Sequence, residues 1–79
     1  MSVEDVRNAI RVARNFVLWD IYGPGGELGT FEPVSVKFDE DNGIWIVVCS
    51  FKKEGTLKKA KMKIDSKSGK VLNYELLEE

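Results

Sequence analysis

The stretch that decides the fold is IWIVVCSF, residues 44–51, an almost unbroken apolar run. A short run that is apolar at nearly every position, with turn residues before it, is typical of a strand in the middle of a sheet. Asn42 and Gly43 precede it, and this dipeptide favours the type I′ turn of a β-hairpin. The sequence therefore predicts a central strand over about 44–52 that is entered through a hairpin.

The segment before that turn predicts the neighbouring strand. Over about 33–39, apolar and polar residues alternate, which is the pattern of a strand with one buried face. If Asn42 and Gly43 are the two loop residues, three apolar pairs share the side of Trp45. The predicted pairs are Phe38 with Val47, Val36 with Cys49, and Val34 with Phe51.

A helix is predicted upstream of these strands. Ser2 and Asp5 have the spacing of a capping box, so we expect the helix to begin at about Val3. Apolar residues recur on one side of the helical projection up to about residue 19, and Gly23-Pro24 ends any helical pattern. This pattern predicts an amphipathic helix over about 3–19 that packs on the sheet.

Two further strands complete the predicted fold. Alternation predicts strands over about 57–65 and 70–77, joined by the turn sequence DSKSG at residues 65–69. The order of elements is one N-terminal helix and then a four-stranded antiparallel meander sheet. We therefore predict a single α+β domain over residues 1–79.

The amino-acid composition limits the kinds of protein to which the chain can belong. With 79 residues, 43% hydrophobic and 32% charged, the chain suits one small globular domain, and a net charge of −1 gives no general attraction for nucleic acid or anionic membranes. One cysteine and no histidine exclude an intrachain disulfide and both Ser-His and Cys-His catalysis. Charged residues interrupt the N-terminal segment, and no apolar run is long enough to span a membrane. We expect a cytoplasmic protein.

The C-terminal run MKIDSKSGKVLNYELLE, residues 62–78, resembles the closing segment of PepSY-like domains. There a strand ends in Asp, a Ser/Thr-Gly turn follows, and a Val-Leu strand with an aromatic residue closes the sheet. The central strand DNGIWIVVCSF, residues 41–51, fits the same cystatin-like helix-on-sheet pattern. The resemblance implies a module that restrains peptidases or mediates interactions. A small gas-vesicle accessory family has a similar aromatic hairpin and is a second resemblance.

A glycine-rich loop is predicted over about 20–32, and its sequence YGPGGELGTFEP covers residues 22–33. A dinucleotide-binding fingerprint would need glycine where Leu28 stands, and Gly-Lys-Ser/Thr is absent, so phosphate binding is disfavoured. Either the flanking aromatic residues pack over the end of the core, which we prefer, or the loop is a lid over a small-ligand pocket. These aromatic residues are Trp19, Tyr22 and Phe31.

The acidic residues at the first hairpin could form a calcium-binding loop. Asp39 and Asp41 have EF-hand-like spacing, but Gly43 comes one position early and Ser50 stands where a bidentate Glu is needed. A hairpin turn explains the same residues. The sequence therefore predicts no metal site and no cofactor.

Two basic rows are candidate phosphate contacts. Three arginines recur on the polar side of the helix and three lysines on the outer side of the third strand, and no aromatic residue lies between the lysines to stack on bases. We interpret both rows as solvated surfaces and predict no nucleic-acid binding. The residues are Arg7, Arg11 and Arg14, and Lys59, Lys61 and Lys63.

The strongest functional signal is the second side of the sheet. If Trp45 and Val47 face the helix, alternate residues of the same strand face away, where one helix cannot cover them. Burying each such side chain contributes about 1.5–3 kcal/mol, enough to drive association. We call this surface the far face. Its predicted apolar members are Ile44, Ile46, Val48, Leu57 and Val71, and its predicted rim is Lys59, Lys61 and Lys63.

These observations predict a non-catalytic interaction or regulatory module. Cys49 is expected to be a buried apolar residue, and no pair of carboxylates suggests general acid-base chemistry, so no catalytic residue is assigned. The far face would bind a second copy or another protein. Two alternatives stay open: a monomer whose lysine stems and loop cover this face, and a small-ligand binder with a pocket between the helix end and the sheet, lidded by residues 22–33.

Overall fold

A computed structural model describes residues 5–22, 31–53 and 55–77, with side chains except those of residues 20–22 and 53. Within these ranges one helix packs on a four-stranded antiparallel meander, which confirms the predicted α+β fold. Each strand lies within two residues of its predicted bounds. The elements are α1 (Val6–Phe16), a π-helical turn (Val17–Tyr22), β1 (Phe31–Asp39), β2 (Ile44–Lys53), β3 (Thr56–Asp65) and β4 (Val71–Leu77).

The helix begins at Val6, later than the predicted start at about Val3. Asp5 has extended backbone angles, and its carboxylate accepts a hydrogen bond of 2.8 Å from the backbone N–H of Asn8. Asp5 is therefore the N-cap, because its side chain satisfies an N–H that has no partner within the helix. The predicted cap, Ser2, lies outside the described residues.

At its C-terminal end α1 widens into the π-helical turn. The helical backbone therefore continues to Tyr22, beyond the predicted end at about residue 19. The strand that follows the loop begins at Phe31, so most of the predicted glycine-rich loop, residues 23–30, lies outside the described residues.

The core lies between α1 and the side of the sheet that we call the near face. On the helix, residues four apart are completely buried, and the small size of two of them allows a close approach to the sheet. On the sheet, alternate residues of β2 and β3 complete the core. The buried residues are Ala9, Ala13 and Val17; Trp45, Val47, Cys49 and Phe51; and Ala60, Met62 and Ile64.

The first hairpin has a different register from the predicted one. Its last cross-strand pair is Asp39 with Ile44, so the turn contains four residues and not two. The Asp39 carboxylate accepts hydrogen bonds from the backbone N–H groups of Asp41 and Asn42, and this side-chain cap favours the wider turn. Phe38 is consequently opposite Trp45, with ring centroids 4.8 Å apart, and not opposite Val47.

The register shift preserves the predicted faces over most of β1. The two extra turn residues shift each residue of β1 by two positions relative to β2. Because side chains alternate with a period of two, each one stays on the side of the sheet that was predicted for it. Val36 therefore faces Val47 in place of Cys49. A second irregularity between Pro33 and Ser35 overturns the last predicted pair, because Val34 is exposed and Phe31 lies opposite Phe51.

Aspartates close two turns at the same end of the sheet. The Asp65 carboxylate accepts hydrogen bonds from the Lys67 backbone N–H and the Ser68 hydroxyl, as Asp39 does from Asn42. The side-chain hydrogen bond from Asn42 lowers the pKa of Asp39, and that from Ser68 lowers the pKa of Asp65, both from an ordinary value of 3.8. The ionised aspartates therefore favour the folded state.

We expect the protein to lose stability as the pH falls below 3.8. Because both pKa values are lower in the folded state, the stabilisation is present above the unfolded value and disappears as the pH falls through the folded values. Melting temperatures measured by circular dichroism from about pH 5 to about pH 2 should fall less steeply for Asp39→Asn/Asp65→Asn than for the wild type. Glu40→Gln, in the exposed turn that follows Asp39, is the control. An equally steep profile in the double variant would contradict this assignment.

Candidate functional site

The far face has an apolar stripe along the middle of β2. Ile44, Ile46 and Val48 alternate with the buried residues of the same strand and are half-buried. Within the described ranges the single helix packs on the near face, so no helix there covers this stripe. The stripe is therefore an apolar surface on the side of the sheet that does not form the core.

Lysines flank the middle of the stripe on both neighbouring strands, whereas Asp39 and Asp65 flank its first residue, Ile44. Ile46 lies between Lys37 of β1 and Lys63 of β3, and Val48 has Lys61 beside it. Four of the five predicted apolar residues and all three rim lysines thus lie on the far face. They are Ile44, Ile46, Val48 and Leu57, with Lys59, Lys61 and Lys63.

The assignment of Val71 to the far face is wrong. The pairing of β3 with β4 shifts between Lys63 and Ile64, and this shift places Val71 opposite the buried Ile64. Val71 packs against the core cluster on the near face. An irregularity of this kind changes the side on which a strand residue lies, and the alternating pattern alone does not reveal it.

The far face carries more basic groups than its predicted rim. Lys37 and Lys52 join it, because they pair with far-face residues, and strict alternation with Val36 and Phe38 would have identified Lys37 from sequence. Two of the four carboxylates on this side, Asp39 and Asp65, are hydrogen-bonded in the turns. The lysines are Lys37, Lys52, Lys59, Lys61 and Lys63; the other carboxylates are Glu32 and Glu75.

The apolar stripe is only partly shielded. Ile44, Ile46 and Val48 are half-buried, which fits long lysine stems lying beside them. Leu57, near the opposite end of the face, is 56% exposed. The predicted covering of this surface within a monomer is therefore incomplete at Leu57.

A groove of about 400 Å³ lies between the C-terminal end of α1 and the start of β4. This volume falls within the range of small-ligand pockets. Trp19 borders the groove and is largely exposed, and Asn15 and Lys70 are the polar side chains among the described residues that line it. The remaining lining residues are Val12, Phe16, Gly69 and Val71.

The three predicted lid residues do not meet at this groove. Val71, the residue of β4 that lines the groove, lies in one cross-strand row with Ile64, Trp45 and Phe38. The groove is therefore at the end of the sheet where Phe38 lies. Phe31 lies at the other end of β1, about 20 Å from Phe38 at the usual rise of a strand, and it packs against the core. This packing agrees with the preferred interpretation for Phe31. The side chain of Tyr22 and loop residues 23–30 lie outside the described residues.

Cys49 is completely buried on the near face. Burial raises the pKa of its thiol to about 11, because desolvation disfavours the thiolate. The thiol is therefore protonated at neutral pH and makes a poor nucleophile. No helix in the described ranges is long and apolar enough to cross a membrane.

No family model, curated protein or solved structure matches the chain.

Proposed function

We propose that the protein is a non-catalytic interaction module whose far face binds an acidic segment of another protein. The observation that carries the proposal is the apolar stripe of β2, which has lysines on both sides at Ile46 and one lysine beside Val48. An apolar strip surrounded by charge combines the burial that supplies affinity with the electrostatics that select a partner. The PepSY-like resemblance implies the same kind of role.

Charge favours another protein over a second copy at this face. If two far faces stacked on one another, Lys37, Lys61 and Lys63 of each copy would be brought close to the same lysines of the other. Like charges across an interface oppose association, and the four carboxylates of this face leave one of its five lysines unbalanced. A partner that carries carboxylates beside apolar side chains fits both features of the surface.

Site-specific photo-crosslinking tests which surface binds. A photoreactive phenylalanine analogue at Ser50, on the far face, should capture one acidic protein in the cells that produce the chain. The same analogue at Arg11, on the exposed side of α1, should not capture it. Equal capture from both positions would contradict the proposal, and so would capture of a second copy of the chain from Ser50.

The affinity for the purified captured protein then tests whether apolar contacts and lysine charges on the far face both contribute to binding. Ile46→Ser should raise the dissociation constant roughly 10- to 100-fold, because it removes one buried apolar contact without adding a charge. Lys61→Glu/Lys63→Glu should also weaken binding and reduce its salt dependence. Arg11→Glu is the matched control and should bind as the wild type does. Isothermal titration at two salt concentrations provides the measurement, and unchanged affinity in Ile46→Ser would contradict the proposal.

The small-ligand alternative stays a prediction. The groove beside Trp19 has a suitable volume, but Asn15 and Lys70 give it few polar groups to orient a ligand. Phe31 does not border it. We therefore give preference to the far face.

A further inference from the structure

The turn between β1 and β2 contains a chemically labile pair of residues. Asn42 is the one asparagine of the chain that is followed by glycine. Asparagine is thermally labile, and a glycine after it has no Cβ to hinder attack of its backbone nitrogen on the asparagine side chain. Asn42 is also exposed in the turn, so water has access to it. Sequence and exposure together favour deamidation at this position.

Deamidation at Asn42 has two steps. The backbone nitrogen of Gly43 attacks Cγ of Asn42 and closes a succinimide ring, while the Cγ–Nδ2 bond breaks and ammonia leaves with the proton of the Gly43 N–H. Water then adds to one of the ring carbonyl carbons, and the bond from that carbon to the Gly43 nitrogen breaks. The product at position 42 is aspartate or isoaspartate, and either one adds a negative charge to the turn.

Asp39 forms hydrogen bonds with both reacting groups. Its backbone carbonyl accepts a hydrogen bond of 2.8 Å from the Gly43 N–H, which must lose its proton in the attack. Its carboxylate accepts one of 2.9 Å from Nδ2 of Asn42, which must leave as ammonia. Both bonds have to break during the reaction, and a hydrogen bond to a charged group is stronger than one between neutral groups. The closed turn therefore holds Asn42 in its unreacted form.

The charge of Asp39 also opposes the reaction. The Gly43 nitrogen becomes negative as its proton leaves, and the side-chain oxygen of Asn42 becomes negative as the ring closes. A carboxylate beside these atoms disfavours both changes. Because the side-chain hydrogen bond from Asn42 lowers the pKa of Asp39 from 3.8, this carboxylate is ionised at neutral pH. It therefore has no proton to give to the departing ammonia.

We propose that Asn42 is a deamidation site that Asp39 protects while the first hairpin is closed. When the turn opens, both hydrogen bonds are lost, and Asn42 reacts as it does in an unfolded chain. Neither product restores the original turn. Aspartate at position 42 places a carboxylate where the amide donated to Asp39, and isoaspartate lengthens the backbone of the turn by one carbon. Deamidation therefore makes an opening of the hairpin permanent.

The altered turn adjoins two other parts of the molecule. The Gly43 carbonyl accepts a hydrogen bond of 3.0 Å from the Ser66 N–H, which joins the first turn to the turn between β3 and β4. Ile44, the first residue of the apolar stripe, follows directly. A change in the first turn thus reaches the end of the far face. The proposal does not depend on the acidic partner, because it concerns the chemistry of the chain alone.

The rate of deamidation in the full chain at neutral pH tests the protection. Peptide mapping by mass spectrometry measures the gain in mass when OH replaces NH2, and its chromatographic step separates aspartate from isoaspartate. Asp39→Ala should raise the rate at Asn42 about tenfold or more, because a charge-assisted hydrogen bond and the opposing charge are both removed. Unfolding the wild type in urea should raise the rate by a similar factor.

Two control variants separate this protection from a general loss of stability. Asp65→Ala removes the equivalent side-chain cap from the other turn, and Glu40→Ala removes a charge from the turn that contains Asn42. Both should deamidate at Asn42 much more slowly than Asp39→Ala. Asp39→Asn keeps a neutral acceptor and should give an intermediate rate. It replaces Asp39→Ala in the comparison if circular dichroism shows Asp39→Ala to be unfolded.

The stability of Asn42→Asp tests the effect of the product. This variant has the covalent structure of the aspartate product. It should melt at a lower temperature than Asn42→Ala, which loses the same hydrogen bond but gains no charge. The proposal would be overturned by a folded wild type that deamidates as fast as the unfolded chain, or by either control variant reaching the rate of the Asp39 variant. An Asn42→Asp that melts no lower than Asn42→Ala would overturn it as well.

Discussion

Phe51→Ala should destabilise the protein by about 3–5 kcal/mol, the largest effect that we expect from a single substitution. Phe51 is 1% exposed and is the largest of the fully buried side chains. Its removal loses buried apolar surface and leaves a cavity that a rigid strand pair fills poorly. Since domains of this kind are stabilised by only about 5–15 kcal/mol, a large part of the stability would be lost.

Urea unfolding, followed by tryptophan fluorescence, measures this loss as a shift in the midpoint of the transition. Leu57→Ala is the matched control, because Leu57 lies on β3 and is 56% exposed. Its free energy of unfolding should change by no more than about 0.5 kcal/mol. Similar losses in the two variants would contradict the assignment of the core to the near face.

Ala13→Leu should destabilise the protein by about 1–3 kcal/mol, although leucine is a good helix former. Ala13 is completely buried between α1 and the sheet, and its methyl group sets how closely the two can approach. A leucine side chain at this position must push the helix outward or adopt a strained rotamer. The cost thus arises from packing and not from helix propensity.

Arg14→Leu separates these two causes. It introduces the same side chain at the next position of α1, where the residue is exposed and no packing is disturbed. Its free energy of unfolding should stay within about 0.5 kcal/mol of the wild type in the same urea titration. If Ala13→Leu were as stable as Arg14→Leu, the close approach of the helix to the sheet would not be a constraint.

The order and type of the elements could be predicted from sequence because hydrophobic periodicity reports which residues must be buried. The run from Ile44 to Phe51 and the alternation around Met62 both appear as strands. The register could not be predicted, because it depends on the width of a turn. At the first hairpin the Asp39 side chain caps a four-residue turn, whereas Asn42-Gly43 alone suggests two residues.

The far face could be predicted for residues on regular stretches of strand. Ile46 and Lys61 lie there because alternation with buried neighbours holds throughout β2 and β3. Alternation alone places Val71 on the wrong face, because one extra residue in β4 reverses the alternation. The grouping of Trp19 with Phe31 failed for another reason: the sequence does not show that the groove and the start of β1 lie at opposite ends of the sheet.

The one-sided placement of the core has an evolutionary consequence. Ala60 and Met62, which face α1, cannot change in size without disturbing the packing, whereas Lys61 between them is largely free of that constraint. Mutations on the far side can therefore accumulate and be selected for recognition alone. A descendant of this chain could acquire a new specificity while its ancestral interior remained intact.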